Sequence, residues 1–167
     1  LKQITIRRKE ITTNVVGRSI EILEESELMK QFYEESCDRY LNLQFCTPTA
    51  FKRDGKYVNY PDLRLVYGSL MRKYSAASEE LDMYEETLEE LVRNSEIIRY
   101  RLQTMPFPLE KVQINGFVGN ASIKIKGTET LANYIRLLCR FGEYSGVGIK
   151  TSMGMGAMQL HRREKHG

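Results

Sequence analysis

Residues 143–157, EYSGVGIKTSMGMGA, set the tightest limit on what this chain can become. Four glycines fall into two Gly-hydrophobic-Gly triplets, Gly146-Val147-Gly148 and Gly154-Met155-Gly156, with five residues between them. Those five include one cation, Lys150, and two hydroxyls, Thr151 and Ser152. Glycine has no Cβ and tolerates positive φ, so the stretch reads as a loop built for close approach. One reading is a phosphate cradle, in which backbone N–H groups turn toward the anion and Lys150 supplies charge. The other is a glycine-rich turn that lets a terminal strand dock. The spacing is not that of a P-loop, because the lysine lies between the glycine pairs. It is not a dinucleotide fingerprint either, since a helix precedes it and a short apolar segment, residues 157–160, follows.

At 167 residues the chain has the size of one compact domain with an appended arm. A domain of this length buries roughly two-thirds of its unfolded surface, enough for a core without disulfides or metal. Cys37, Cys46 and Cys139 are odd in number and widely spaced, which fits idle thiols in a reducing compartment. No apolar run approaches the length of a membrane span and no signal-peptide pattern opens the chain, so a soluble, cytoplasmic protein is expected. The first residue is Leu1 rather than Met, which suggests a fragment or a processed start.

Net charge is only +3, but it is unevenly spread. Residues 78–96 carry eight acidic groups against Arg93, whereas residues 97–167 carry eleven basic and four acidic ones. Separation of this kind can make a face for a polyanion while the overall pI stays moderate. The acidic run itself reads as a solvated helix face rather than as paired carboxylates for metal or acid/base chemistry.

The chain's periodicities predict its elements. Residues 2–8 and 15–23 read as strands, the second bent at Gly17, and residues 26–35 as a short helix. YLNLQFC, residues 40–46, alternates with Leu41, Leu43 and Phe45 on one side and should be a core strand. Pro48 should end that strand or place it at an edge. A charged turn follows, with Lys52 and Arg53 beside Tyr57 and Tyr60. Pro61 and Asp62 start a helix to about residue 75, carried by Leu63, Val66, Tyr67, Leu70 and Tyr74. An acidic helix over residues 78–92 comes next, with Leu81, Leu88, Leu91 and Val92 inward.

Ile98, Tyr100 and Leu102 then alternate with Arg99, Arg101 and Gln103, so the two arginines share a strand face. Pro106 and Pro108 mark a turn. Residues 112–118 and 121–126 form one strand, or two broken at Gly116 and Gly119, with Lys124 and Lys126 opposite Ile123 and Ile125. Thr128 is the N-cap of a helix whose buried stripe is Leu131, Tyr134, Ile135, Leu138 and Phe141, with Arg136 and Arg140 on another face. From residue 40 the order is β-α-β-β-α-β, a ferredoxin-like α+β domain with an antiparallel sheet, helices on one face and the other face free. Residues 1–39 form an arm, and residues 40–167 form the domain with its C-terminal glycine loop.

These residues resemble a known family. Gly146-Val147-Gly148 and Gly154-Met155-Gly156 five residues apart are similar to the C-terminal glycine-rich loop of the RAMP superfamily of CRISPR-associated RNA-binding proteins. The phrase Gly148-Ile149-Lys150-Thr151, the helix entering it, Thr47-Pro48-Thr49 with Phe51, and Pro61-Asp62 before a helix resemble more narrowly the CRISPR repeat-RNA processing endoribonucleases. The resemblance covers about residues 40–158. It implies two tandem ferredoxin-like domains, of which this chain holds the second, and cleavage of precursor CRISPR RNA within its repeats. The implied reaction is metal-independent attack of a ribose 2′-hydroxyl on its own phosphate, leaving a 2′,3′-cyclic phosphate, with no cofactor. Residues 1–39 would then connect to the preceding domain, where the catalytic histidine is expected.

The residues assigned to RNA on this basis are Gly146, Gly148, Lys150, Thr151, Ser152, Gly154 and Gly156, with Lys52 and Arg53 on the earlier turn. Arg99, Arg101, Lys124 and Lys126 could line the RNA track, and Tyr57 and Tyr60 could stack on bases. His161 and His166, the only histidines, lie in the basic terminal segment LHRREKHG, and His161 is the one candidate for acid/base work here. No His, Cys and carboxylate cluster suggests a metal site. The implied partners are precursor CRISPR RNA and other Cas subunits, with no membrane and no small-molecule cofactor. A non-catalytic RAMP subunit that holds guide RNA, and a nucleotide-binding domain, are the competing readings.

Overall fold

The computed structural model describes residues 3–6, 11–34, 38–78, 84–109 and 112–161. Its elements are β1 (Gln3–Ile6), β2 (Ile11–Asn14), α1 (Glu25–Glu34), β3 (Tyr40–Thr49), β4 (Phe51–Arg53) and β5 (Lys56–Val58). They continue with α2 (Leu63–Ala77), α3 (Glu85–Arg93), β6 (Ser95–Pro108), β7 (Gln113–Ile125), α4 (Glu129–Ser145) and β8 (Met158–His161).

The sheet is organised around β3. Its alternation puts Leu41, Leu43 and Phe45 inward, all buried, and leaves Asn42 and Gln44 on the other face. β7 pairs with one side of β3, β8 with the other, and β6 with the outer side of β7, always antiparallel. The resulting order, β6-β7-β3-β8, is the ferredoxin-like topology expected from the element order.

Helices α2 and α4 pack over the apolar face, where Tyr67, Leu70, Ile135 and Leu138 meet Leu43, Phe45 and Ile123 in one core. Phe45 and Phe117 sit edge to face with centroids 4.8 Å apart, a geometry that adds attraction to the area they bury. Both long helices begin where side-chain caps place them. The Leu65 N–H donates to Asp62 Oδ1 at 3.3 Å, and the Leu131 N–H donates to Thr128 Oγ1 at 3.2 Å. Gly142 marks the close crossing of α4 with its neighbours, since a Cβ there would lie 2.7 Å from Leu70 Cδ2 and 2.8 Å from Met158 Sδ.

Several expectations shift. Residues 15–23 form no strand; β1 pairs instead with β2, and Val16, Ile20 and Ile22 are exposed. Pro48 does not stop β3, which runs on to Thr49 across a register shift after Phe45. Pairing with β8 has ended at Met158 by that point, so the missing N–H of Pro48 removes no ladder bond.

Pro106 and Pro108 likewise lie inside β6 rather than at a turn, opposite Asn115 and Gln113. An edge strand tolerates proline wherever its missing N–H faces away from the neighbour. Strand β7 is continuous through Gly116 and Gly119. A register shift between Ile97 and Arg99 leaves Ile98 and Tyr100 exposed, while Arg99 and Arg101 keep their common face opposite Ser122 and Asn120.

The acidic helix is shorter than expected, starting at Glu85, and Leu81 lies outside the described residues. Its buried residues are Leu88 and Leu91, and Arg64 ties it to α2 through Glu85 and Glu89. Helix α1, before residue 40, docks on α4. Asn133 Nδ2 donates to Phe32 O at 3.0 Å, Arg136 donates to Gln31 O, and Leu28 joins the main core.

Phe45→Ala should cost ~3–5 kcal/mol in urea unfolding, against ~1 kcal/mol for the cap variant Asp62→Ala. Comparable losses for the two would mean that the core is not centred on β3.

Candidate nucleic-acid interface

The glycine loop leaves α4 at Gly146, whose φ of 66° ends the helix and whose N–H donates to Gly142 O at 2.8 Å. The two triplets then act as clasps. Val147 N–H donates to Gly156 O at 2.8 Å, joining them to each other, and Gly156 N–H donates to Pro48 O at 3.1 Å. Ile149 N–H reaches Ala50 O at 3.0 Å, and Gly148 N–H reaches Ser69 Oγ at 2.8 Å. Contacts this close exclude side chains. A Cβ on Gly156 would lie 1.9 Å from Val147 O, and one on Gly148 would lie 2.4 Å from Ala50 O.

Docking therefore consumes most of the amides that sequence reasoning offered to phosphate. Among the described residues, the N–H groups of residues 146–149 and 153–157 all donate within the protein, which leaves those of Lys150, Thr151 and Ser152. These three belong to the segment that projects. Lys150 is exposed in the left-handed region, φ 55° and ψ 31°, and leads into a single 3-10 turn over Thr151–Met153. Ser152 and Gly154 are exposed, and Thr151 is half-buried.

Two residues of α2 hold this loop from below, and sequence reasoning missed both. Ser69, buried, accepts from Gly148. Lys73 Nζ donates to Ser145 O at 3.2 Å, Gly146 O at 3.0 Å and Thr151 Oγ1 at 3.0 Å. Burial, and after it the neighbouring Arg72 charge, pull the Lys73 ammonium down to about 8, so near neutral pH it remains mostly charged. The available signal was their i, i+4 spacing, which puts two polar side chains on one stripe of a helix with an otherwise apolar buried side.

The turn bearing Lys52 and Arg53 is the β4–β5 hairpin, closed by Asp54 and Gly55 with positive φ. It adjoins the glycine loop, because β4 follows directly on Ala50, the acceptor for Ile149. Lys52 is exposed opposite Tyr57, whereas Arg53 pairs with Asp62 at 3.0 Å. A small second core of Ala50, Ile114 and Met155, with Phe107, Leu109 and Ile149 packed on it, joins the far end of the β6–β7 hairpin to the same loop.

Arg99, Arg101, Lys124 and His161 lie on the open face of the sheet, away from the helices. Ladder pairing sets Arg99, Ser122, Asn42 and His161 in one row and Arg101, Asn120, Gln44 and Gln159 in the next. Ser122 Oγ donates to Asn42 Oδ1 at 2.7 Å, His161 Nε2 lies 2.6 Å from Gln44 Oε1, and Lys124 Nζ stands 6.0 Å from the Tyr40 ring centroid. A shallow depression of about 290 Å³ is lined by Arg99, Tyr100, Arg101, Asn120 and Ser122. Lys126 is paired with Glu96 at 3.0 Å. His161 thus belongs to the open face rather than to the glycine loop, and His166 lies outside the described residues. Among the described residues no group of His, Cys, Asp and Glu is placed to hold a metal ion, and no helix is long and apolar enough to cross a membrane.

Similarity to known proteins follows the same residues. The family described as CRISPR-associated endoribonuclease Cas6 matches residues 43–158. The CRISPR-associated endoribonuclease Cas6 of Streptococcus thermophilus is 39% identical over 163 residues, which cover 93% of this chain and 67% of that protein. Its counterpart in Mycobacterium tuberculosis (strain CDC 1551 / Oshkosh) is 38% identical over 155 residues, 93% of this chain and 49% of its own length. Among solved structures, a Cas6 product complex superposes with a TM-score of 0.72 at 34% identity, over 81% of this chain and 56% of that one. Thermus thermophilus Cas6 gives 0.69 at 25% identity, over 80% and 57%. The chain thus spans between about half and two-thirds of the length of these relatives. With the match running from Leu43 in the central strand to Met158 at the start of the last, the chain belongs to the CRISPR-associated endoribonuclease Cas6 family.

Proposed function

We propose that this chain grips precursor CRISPR RNA by its sugar-phosphate backbone through the projecting turn of the glycine loop, and takes part in cutting that RNA within its repeats. One observation carries the reading: between two docked triplets the chain holds out Lys150, with the amides of Lys150, Thr151 and Ser152 not used inside the protein among the described residues. A cation beside unspent N–H groups suits a phosphate oxygen. Lys52 on the adjoining hairpin extends the basic surface, while the glycines serve by docking rather than by touching RNA. Arg53, committed to Asp62, contributes less. Family membership supplies the substrate class, and the proposed setting is the cytoplasm, with other Cas subunits as further partners.

In the proposed reaction the ribose O2′ attacks the adjacent phosphorus, the bond from phosphorus to the 5′ oxygen breaks, and a 2′,3′-cyclic phosphate and a 5′-hydroxyl result. A base takes the proton from O2′, and an acid delivers one to the departing oxygen. Lys150 offsets charge growing on the phosphoryl oxygens, a role for which fixed cations and amides are effective. The base and acid are assigned to a preceding domain, a reading supported by the larger size of the relatives. His161 is not given that part, because its Nε2 is engaged by Gln44 on the open face.

Lys150→Ala should weaken binding of a fluorescein-labelled single-repeat RNA about tenfold, and should lower the slope of log affinity against log salt by ~0.7, the value for one phosphate of a single strand. Unchanged affinity and slope would sink the loop reading. Gly156→Ala, which forces a Cβ onto the Val147 carbonyl, should lower both affinity and Tm, whereas Lys150→Ala should leave Tm in place. The full-length protein should cut the repeat at one position in EDTA and leave a cyclic phosphate detectable by mass spectrometry. Protection of the RNA without cutting would favour a non-catalytic guide-holding subunit.

A further inference from the structure

Thr151 is held at both ends of its side chain. Its Cγ2 methyl occupies the space that side chains on the two triplets would need, 3.0 Å from where a Gly146 Cβ would stand and 3.2 Å from where a Gly156 Cβ would stand. Its Oγ1 accepts from Lys73 Nζ at 3.0 Å. With its methyl beside both triplets and its hydroxyl on Lys73, the side chain has restricted χ1 freedom. An ammonium only donates, so the Thr151 hydroxyl proton must point away from Lys73, and among the described residues it finds no acceptor.

We infer that Lys73 is a positioning residue: from beneath the loop it fixes the Thr151 hydroxyl as an outward donor to an RNA phosphate oxygen, without touching RNA itself. This rests on the RNA-binding reading of the loop. The other two Lys73 donors go to Ser145 O and Gly146 O, carbonyls at the end of α4, where a cation is favoured by the helix dipole. One side chain thus ties the end of the helix to the first hydroxyl of the turn. Polarised by an adjacent ammonium, that hydroxyl is a better donor than a solvated threonine.

A double-mutant cycle tests this on the protein with the labelled single-repeat RNA. Lys73→Met and Thr151→Val should each weaken binding about tenfold, the worth of one charge-assisted hydrogen bond, and the double variant should be no weaker than Thr151→Val alone. The salt slope should stay at its original value in Lys73→Met while falling in Lys150→Ala. Additive losses would mean that Lys73 acts independently of Thr151, and a slope lowered in Lys73→Met would make it a direct phosphate contact; either overturns the inference. So does full affinity in Thr151→Val, which holds even if Lys73→Met fails to fold. Lys150→Ala reads the loop hypothesis separately: weakened binding there together with additive Lys73 and Thr151 losses would overturn this inference alone, whereas no effect there would sink the loop reading on which it rests.

Discussion

Two carbonyls at the end of the central strand, those of Pro48 and Ala50, hold the glycine loop through Gly156 and Ile149. The remaining arrangement of the site depends on this backbone-to-backbone contact. Chains that approach so closely leave no volume for a Cβ, which is why the triplets need glycine at Gly148 and Gly156. The same bonds settle what the loop can offer a ligand. Amides spent on docking are unavailable, so on the proposed reading recognition passes to the short insert between the clasps.

That insert stands where several layers of the fold meet. Helix α2 supplies Ser69 and Lys73 from below, the β6–β7 hairpin supplies Ile114 through the small core with Met155, and β4 starts beside it. Each neighbour is anchored in the sheet or the main core. On the proposed reading, the backbone of a turn carried on such a base loses little further freedom on meeting a phosphate, which lowers the entropic cost of binding. The open sheet face has a different character: its amides, hydroxyl and histidine are linked in pairs, Ser122 to Asn42 and His161 to Gln44, rather than gathered around one projecting group.

Local chemistry accounts for the features that reading the chain recovered. Leu41, Leu43 and Phe45 alternate because a strand with one buried face has period two, and Asp62 and Thr128 cap helices through bonds that span three residues. The ferredoxin-like order followed from such signals taken in sequence. Where neighbours in space decided the outcome, the reading slipped. Residues 15–23 have strand-like composition but no strand partner among the described residues, and β1 pairs with β2 instead. Pro48, Pro106 and Pro108 are breakers in isolation, yet lie where no ladder bond is lost.

By itself the sequence determined the periodicities, the caps, the close-approach glycines and the presence of Lys150 among them, because each depends on residues within a few positions of one another. Tertiary structure alone decided which amides the loop spends on docking and which it leaves out of it. It also decided that Lys73 and Ser69, 78 and 79 positions from their partners, support that loop. Hydrogen bonds across such separations exist only after helix and loop have packed on the same sheet, and no local pattern encodes them.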